Sequence, residues 1–259
     1  MDAFVTAGGI PETEDPLYAS TQGQPKALLD VAGKPMIQWV LDALSGAARI
    51  ERVVVVGLNA EAGVQCSKPT TYIPNQVSLL DNIQAGVNEI LRLDPQAGLV
   101  MAVSSDIPAL TPAIVDWAAD RAQETEHDIY YMVAERSVME SRFPGSNRSY
   151  VRLRDAEVCG SDMNVIRAGL VSDRPLWERI VASRKNALRQ ASLLGWDVLA
   201  LLLLGRLSIS RAERMVSKRL GLRGRVILCP YPEVAMDVDK PHQLEILRKY
   251  LSSQVRSTA

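Results

Sequence analysis

The sequence predicts an α/β protein built on a mostly parallel, mixed sheet with helices on both faces. Two observations predict it. Through the first half of the chain, short β-rich runs alternate with segments of helical period, the β-α-β-α-β-α order that gives a parallel sheet. Val53 to Val56 is an unbroken valine run, which suits a strand buried on both faces, as parallel strands between two helix layers are.

The elements follow in order. Ala3 to Ala7 reads as a buried first strand, and Met36, Ile37, Val40, Leu41 and Leu44 recur with helical period. After the valines, Leu79, Leu80, Ile83, Val87, Ile90 and Leu91 mark a second amphipathic helix, and Leu99 to Val103 a further strand. Thr111-Pro112 is a helix start: the hydroxyl can cap, and proline suits a first turn where its missing N–H costs nothing. Ile129 to Ala134, Tyr150 to Arg154 and Asn164 to Val171 read as strands, with Pro144 to Asn147 as a loop between the first two. From Arg174 to about Leu220 the chain is mostly helical, with Ser210 and Glu213 spaced as a capping box and Gly221 as a stop. Val226 to Cys229 returns to strand, and Pro241 to about Ser252 is a last helix. One domain over 1–259 is expected, with residues 126–224 as an insertion region within it.

Composition narrows the functions. With 29 Lys and Arg against 30 Asp and Glu, the formal net charge is −1, unlike a protein that must displace phosphate counterions with clustered cations. A nucleic-acid partner is therefore not expected. The hydrophobic fraction of 47% is that of a globular chain. The longest apolar run, Val198 to Leu204, is shorter than the ~20 residues a membrane span takes, so a buried helix segment is expected and no membrane partner. Three scattered cysteines and two distant histidines, His127 and His242, offer no zinc spacing. Reduced thiols and a cytoplasmic location are expected. The four tryptophans, Trp39, Trp117, Trp177 and Trp196, read as core or interface packing, and the basic stretch Arg211 to Arg225 as a solvated helix face.

Three places could carry chemistry. Ala7-Gly8-Gly9 follows the first strand, and glycines there let backbone amides approach a phosphate. A Gly-Gly pair alone fits a tight turn equally well. Here, however, it opens a loop of about 16 residues, a length usually reserved for function or disorder. The loop ends in Gln24-Pro25-Lys26-Ala27-Leu28, where Lys26 is placed to meet phosphates as a point charge. Ser104-Ser105-Asp106-Ile107-Pro108 follows the Leu99 strand, and ligands of open α/β sheets bind beyond the carboxyl ends of strands. A carboxylate at that point can hold Mg²⁺, a hard cation that usually bridges substrate phosphates; an Asx turn is the structural alternative. Asp237-Val238-Asp239 puts two carboxylates at i and i+2, on one side of an extended segment. They repel unless solvent or a cation lies between them. A metal site shared with Asp106 and a hydrated cap on the last helix are both open.

The order of these pieces resembles that of the MobA-like NTP transferase family. It runs from strand–Ala-Gly-Gly through Pro25-Lys26-Ala27-Leu28, Gly33-Lys34-Pro35-Met36-Ile37 and Ser105-Asp106-Ile107-Pro108 to Asp237-Val238-Asp239-Lys240-Pro241. The family includes molybdenum cofactor guanylyltransferases and is related to sugar-phosphate nucleotidylyltransferases. The resemblance covers about 1–110 and 225–250. It implies a GT-A-like, Rossmannoid nucleotidyltransferase: a Mg²⁺-dependent enzyme that transfers NMP from an NTP to a phosphorylated small-molecule acceptor and releases pyrophosphate, as a monomer or homodimer. It implies Lys26 and Asp106 as catalytic residues and Asp106, Asp237 and Asp239 as metal ligands. Ala7, Gly8, Gly9, Lys26, Asn75, Gln76, Ser78, Asn82 and Ser105 would contact the nucleotide. The 126–224 region becomes the acceptor side, with Asn164 in Cys159-Gly160-Ser161-Asp162-Met163-Asn164 as an acceptor contact.

One departure stands out. Relatives commonly carry Gly-x-Gly-x-Arg after the first glycines, and its arginine clamps the triphosphate. Here Gly9-Ile10-Pro11-Glu12-Thr13-Glu14-Asp15 has acids instead, and no arginine precedes Lys26. Arg184 and Lys185 are the candidate replacements on the acceptor side. Two other functions remain open. A GT-A glycosyltransferase would use an Asp-x-Asp on a sugar nucleotide, though that motif generally lies mid-chain and here only a short tail follows Asp239. A catalytically silent nucleotide-binding protein would explain the missing arginine.

Overall fold

A computed structural model of the chain describes residues 1–173, 175–177 and 195–258. Its strands are β1 (Asp2–Thr6), β2 (Asp30–Val31), β3 (Lys34–Pro35), β4 (Val53–Val56), β5 (Thr70–Ile73), β6 (Leu99–Ser104), β7 (Ile129–Glu135), β8 (Val151–Arg152), β9 (Glu157–Gly160), β10 (Met163–Arg167) and β11 (Gly224–Cys229). The α-helices are α1 (Tyr18–Thr21), α2 (Met36–Gly46), α3 (Leu79–Leu93), α4 (Pro112–Gln123), α5 (Arg136–Arg142), α6 (Trp196–Leu203), α7 (Ile209–Leu220) and α8 (Pro241–Thr258).

The expected mixed sheet is present. Its first four positions, β5-β4-β1-β6, are all parallel. β10 then runs antiparallel between β6 and β7, and β11 pairs parallel with β7. β9 and β8 extend the sheet antiparallel beyond. Along β7 the facing segment changes register from β10 to β9: Tyr130 faces Val165, but Val133 faces Gly160, so three steps on β7 take up five along β9 and β10. The surplus forms a bulge at Ser161-Asp162. The buried Ser161 hydroxyl stabilises it, donating toward Val234 O at 2.9 Å and accepting from the Met163 amide at 2.9 Å. Bulges of this kind re-aim side chains and recur beside active sites.

Alternation along β1 divides the core. Ala3 and Val5 face a cluster that includes Ile37, Val40 and Leu41 of α2 and Val115 and Ala118 of α4. Phe4 faces the other side, with Val54, Val56 and Val87 and Ile90 of α3. The valine run is fully buried, which is why it carries no polar alternation. Each large side chain so buried contributes about 1.5–3 kcal/mol. Gly86 lets α3 lie close to the sheet, since a Cβ there would meet the Phe4 ring at 2.9 Å.

Helix starts follow from short polar residues. Thr111 Oγ accepts from the Ile114 amide at 3.4 Å with Pro112 in the first turn, and Ser78 Oγ accepts from the Asp81 amide at 3.2 Å. For α7 the expected cap is corrected. Ser208, not Ser210, caps it by accepting from the Arg211 amide at 3.3 Å. Glu213 is drawn away to the Val226 amide at 2.6 Å. Gly221 ends the helix as expected, with φ of 69°.

Other boundaries differ as well. The Tyr150–Arg154 strand shrinks to β8, and Asn164–Val171 ends at Arg167, where a 3-10 turn over Ala168–Ser172 takes over. The last helix runs on to Thr258. Val198–Leu204 is largely helical, yet only Val198 is buried, while Trp196, Leu203 and Leu204 are exposed. An eight-residue helix presents one side to its support, so an all-apolar sequence leaves the other side in water.

Candidate active site

The site forms where the parallel strands end. β1 runs into Ala7-Gly8-Gly9, and this turn is packed tightly enough to require its glycines. A Cβ on Gly8 would lie 1.8 Å from Asn75 Oδ1, and one on Gly57 would lie 2.2 Å from the Gly8 nitrogen. Gly57 also has φ of 111°, a value that side-chain-bearing residues rarely adopt. The ends of β1, β4 and β5 therefore meet at one point. Asn82, buried at the start of α3, orders the β5–α3 loop: its Oδ1 accepts from the Gln76 amide at 2.8 Å, and its Nδ2 donates to Asn75 Oδ1 at 2.9 Å. Gln76 Nε2 turns back to Pro74 O, and the Ser78 hydroxyl is engaged with Asp81. Val77, between them, is fully exposed.

The loop after Gly9 is structured. Leu17 buries itself, Asp15 Oδ1 accepts from the Leu17 amide at 2.8 Å, and α1 follows. Glu12, Glu14 and Asp15 point to solvent. The loop closes on itself where the Lys26 amide donates to Gly9 O at 2.9 Å. That bond sets Lys26 beside the glycine turn, with its side chain running inward.

Lys26 Nζ donates to Asp106 Oδ2 at 2.7 Å and to Asp239 Oδ1 at 2.8 Å. The two distant acids thus converge on one ammonium. Asp106 follows β6, where the Ser105 amide donates to Thr6 O at 3.1 Å and Asp106 O accepts from the Val238 amide at 3.0 Å. The second bond fastens the C-terminal strap 237–239 to the end of the sheet. Asp239 is fixed further by its own amide, which donates to Gln243 Oε1 at 3.0 Å. Burial works against a charged Lys26, yet the charges of Asp106 and Asp239 and their hydrogen bonds outweigh it, holding the ammonium well above the ordinary lysine value. Burial would push the Asp239 carboxyl up; Lys26, then Arg148 and Lys240, hold it below the usual carboxylate range.

Asp106 Oδ1 is buried and has no hydrogen-bond partner. An uncompensated buried carboxylate oxygen is costly. Among the described residues no cluster of three or more His, Cys, Asp or Glu side chains is present. The acidic donors at this point are the pair Asp106 and Asp239, both hard oxygen ligands. Mg²⁺ is usually held by one or two carboxylates plus waters and substrate phosphates, so the donor set fits it.

Asp237 is placed differently. Its carboxylate pairs with Arg148, whose guanidinium also reaches Gly160 O at 3.4 Å and Asp162 at 3.7 Å. Asn164 is also committed: its Oδ1 accepts from the Met132 amide at 3.0 Å and its Nδ2 donates to Ser161 O at 3.1 Å, so it holds the bulge. Arg184 and Lys185 lie outside the described residues. Arg148 escaped sequence reasoning because no motif surrounds it. The loop before it, Pro144 to Asn147, is legible in the sequence, and in the fold Gly145 and Asn147 both take positive φ, at 74° and 53°.

One further feature lies away from the site. A depression of about 310 Å³ at the opposite end of the sheet is lined by Asp2, Arg52 and Asp94, where Arg52 pairs with both aspartates. Cys66, Cys159 and Cys229 are free thiols. No helix among the described residues is long and apolar enough to cross a membrane.

Comparison with known proteins bears on the fold and the family. A solved structure titled a hypothetical transferase from Thermus thermophilus is 36% identical, with a TM-score of 0.81 over 94% of this chain and 98% of that one. A CMP:2-keto-3-deoxy-manno-octonic acid synthetase complexed with CTP shares the fold, at 15% identity and a TM-score of 0.59 over 98% of each chain. The 3-deoxy-manno-octulosonate cytidylyltransferase of Marinobacter nauticus is 32% identical over 123 residues, 46% of each protein, so the chain spans less than half the length of this curated relative. Residues 7–191 match the family model of the MobA-like NTP transferase domain. With its glycine turn, bridging lysine and paired aspartates on that sheet, the chain belongs to the MobA-like NTP transferase domain family.

Proposed function

We propose that this protein transfers a nucleoside monophosphate from an NTP to a phosphorylated small-molecule acceptor, releasing pyrophosphate, with Mg²⁺ as cofactor. The observation that carries it is the Lys26 ammonium held between Asp106 and Asp239 beside the Gly8-Gly9 turn. Gly8 and Gly9 bring backbone close to the nucleotide, with Ala7 and Ser105 beside them, and Asn75, Gln76, Ser78 and Asn82 frame the loop against the base. Lys26 neutralises the phosphates as an acceptor phosphate oxygen attacks the α-phosphorus. The new P–O bond forms as the bond to the bridging oxygen breaks, and the electron pair leaves with pyrophosphate. Such transfer depends on positioning and charge stabilisation rather than on a covalent protein nucleophile. Asp106 and Asp239 would hold Mg²⁺, which when bound offsets the repulsion between two anionic reactants.

The 126–224 region is proposed as the acceptor side, with Asn164 shaping it through the bulge and Arg184 and Lys185 as candidate cations. A cytoplasmic location is part of the proposal, in keeping with the unpaired cysteines. Pyrophosphate release from ATP, GTP, CTP and UTP with Mg²⁺, across a panel of phosphorylated acceptors, tests the reaction. Asp106→Ala should lower turnover by at least ~10²-fold, the scale for losing one electrostatic stabiliser. Unchanged turnover would remove Asp106 from the mechanism.

One observation favours a second reading, a nucleotide-binding protein without turnover. The loop from Gly9 to Lys26 carries three exposed acids and no arginine. Mg²⁺-dependent NTP binding with no pyrophosphate release across that panel would support it.

A further inference from the structure

The strap Asp237-Val238-Asp239 sends its two carboxylates to two different cations. Asp239 joins Lys26 and Asp106, while Asp237 joins Arg148. The second pair is the more enclosed, with side-chain exposures of 14% for Arg148 and 8% for Asp237, against 60% for Asp239. Val238 between them is fully buried, and its amide is bonded to Asp106 O.

Arg148 is itself held by its loop. Ser146 O accepts from Gln243 Nε2 at 3.2 Å and lies 3.2 Å from His242 Nε2, both in the first turn of α8. Gln243 is the same residue that accepts from the Asp239 amide. Loop 143–148, the strap and the start of α8 therefore form one bonded unit. Arg148 extends it to the bulge through Gly160 O and Asp162. In the same bulge, Asp162 O accepts from the Ser104 amide at the end of β6 at 2.8 Å.

We infer that Arg148 is a positioning residue: by taking Asp237 as its counter-ion it fixes the strap and sets Asp239 against Lys26 and Asp106. The inference rests on the proposed metal site at Asp106 and Asp239. A buried ion pair is weak evidence of net stabilisation, because desolvation offsets its attraction; its best-attested use is to select one arrangement over others. The buried Arg148 Nε, which has no partner, fits a group retained for placement rather than for stability. Partners of metal ligands typically change metal affinity by 10–100-fold when lost, without touching the ion.

The opposite role for Asp237, as a direct ligand, predicts the opposite sign. The full chain is titrated with Mn²⁺ alone, followed by electron paramagnetic resonance, for the wild type, Asp106→Asn, Arg148→Met, Asp237→Asn and the Arg148→Met/Asp237→Asn double variant. The positioning role predicts about tenfold weaker binding for Arg148→Met. It also predicts that the double variant binds no more weakly than Arg148→Met, because both lose the same pair. Unchanged or tighter binding in Arg148→Met would overturn the inference, as would a double variant clearly weaker than Arg148→Met, since a freed or lost ligand would behave that way. If the wild type and Asp106→Asn bind Mn²⁺ alike, the metal site itself has failed and the inference with it. Should Arg148→Met not fold, Arg148→Lys keeps the charge but loses the planar fork, and it carries the same test.

Discussion

Replacing Lys26 with methionine keeps most of the side-chain volume and removes only the cation that two carboxylates share. The Asp106 carboxylate then loses the ammonium that donates to its Oδ2, while its Oδ1 already has no partner. Breaking a fully buried pair costs about 3–5 kcal/mol, and an exposed pair contributes about 0–1. Lys26 and Asp106 are each 17% exposed, but Asp239 is 60% exposed. The loss should therefore fall between these limits, at about 2 kcal/mol. For a chain of this size that lowers Tm by roughly 4–8 °C. Differential scanning calorimetry at pH 7 without divalent metal reads it directly. Millimolar Mg²⁺ should raise the Tm of Lys26→Met more than that of the wild type, because the ion meets no ammonium between the carboxylates.

The pH dependence has a definite sign. Lys26 is held above its ordinary value, so its contribution is complete below the unfolded lysine value near ~10.4 and fades only as pH rises through the higher folded value. Asp239 is held below its ordinary value, so its share is present above the unfolded aspartate value near ~3.9 and fades as pH falls through the lower folded one. The gap between wild type and Lys26→Met should be flat across neutral pH and close in acid. A variant equally stable without metal and indifferent to Mg²⁺ would refute the reasoning, because the two carboxylates would then not oppose each other.

Three further outcomes are expected. Gly8→Ala would place a methyl 1.8 Å from Asn75 Oδ1; the amide side chain must swing away and release Asn82, so NTP affinity should drop by about tenfold, with a stability loss of about 1–3 kcal/mol on thermal melting. Asp128 is held at about 2, chiefly by hydrogen bonds from Arg223 and also by Arg167. Asp128→Asn should cost about 1–2 kcal/mol at pH 7, discounted because Arg223 is half exposed, and the cost should vanish as pH falls from about 4 toward 2, as urea melts would show. Ser208→Ala should cost about 1 kcal/mol through loss of the α7 cap, whereas Ser210→Ala should fall within about 0.5 kcal/mol of wild type; equal losses would restore the expected capping box.

What the sequence displays depends on how far a residue's neighbours are also its partners. β4 is legible because burial on both faces leaves four valines in a row. β5 is not: Thr70–Ile73 is only partly buried along its length at the sheet edge, so no apolar run marks it. β9 is hidden for another reason: it is four residues long with only Val158 and Cys159 buried, and β10 is read too long because nothing local announces the 3-10 turn after Arg167. The site divides likewise. Gly8, Lys26, Asp106 and Asp239 each stand in a short motif, and the order of those motifs is legible even though the residues lie far apart. The meeting of Lys26 with both acids is a property of the folded sheet, which brings positions 80 and 213 residues away to one ammonium. Asp237 shows the limit most clearly. Its spacing from Asp239 places it as a second acid for one ion, yet its partner Arg148 lies 89 residues earlier, just after a loop that the sequence shows only as a loop. Two carboxylates at i and i+2 need a cation each or one between them, and local sequence cannot say which; only the packing of the strap against a distant guanidinium decides it.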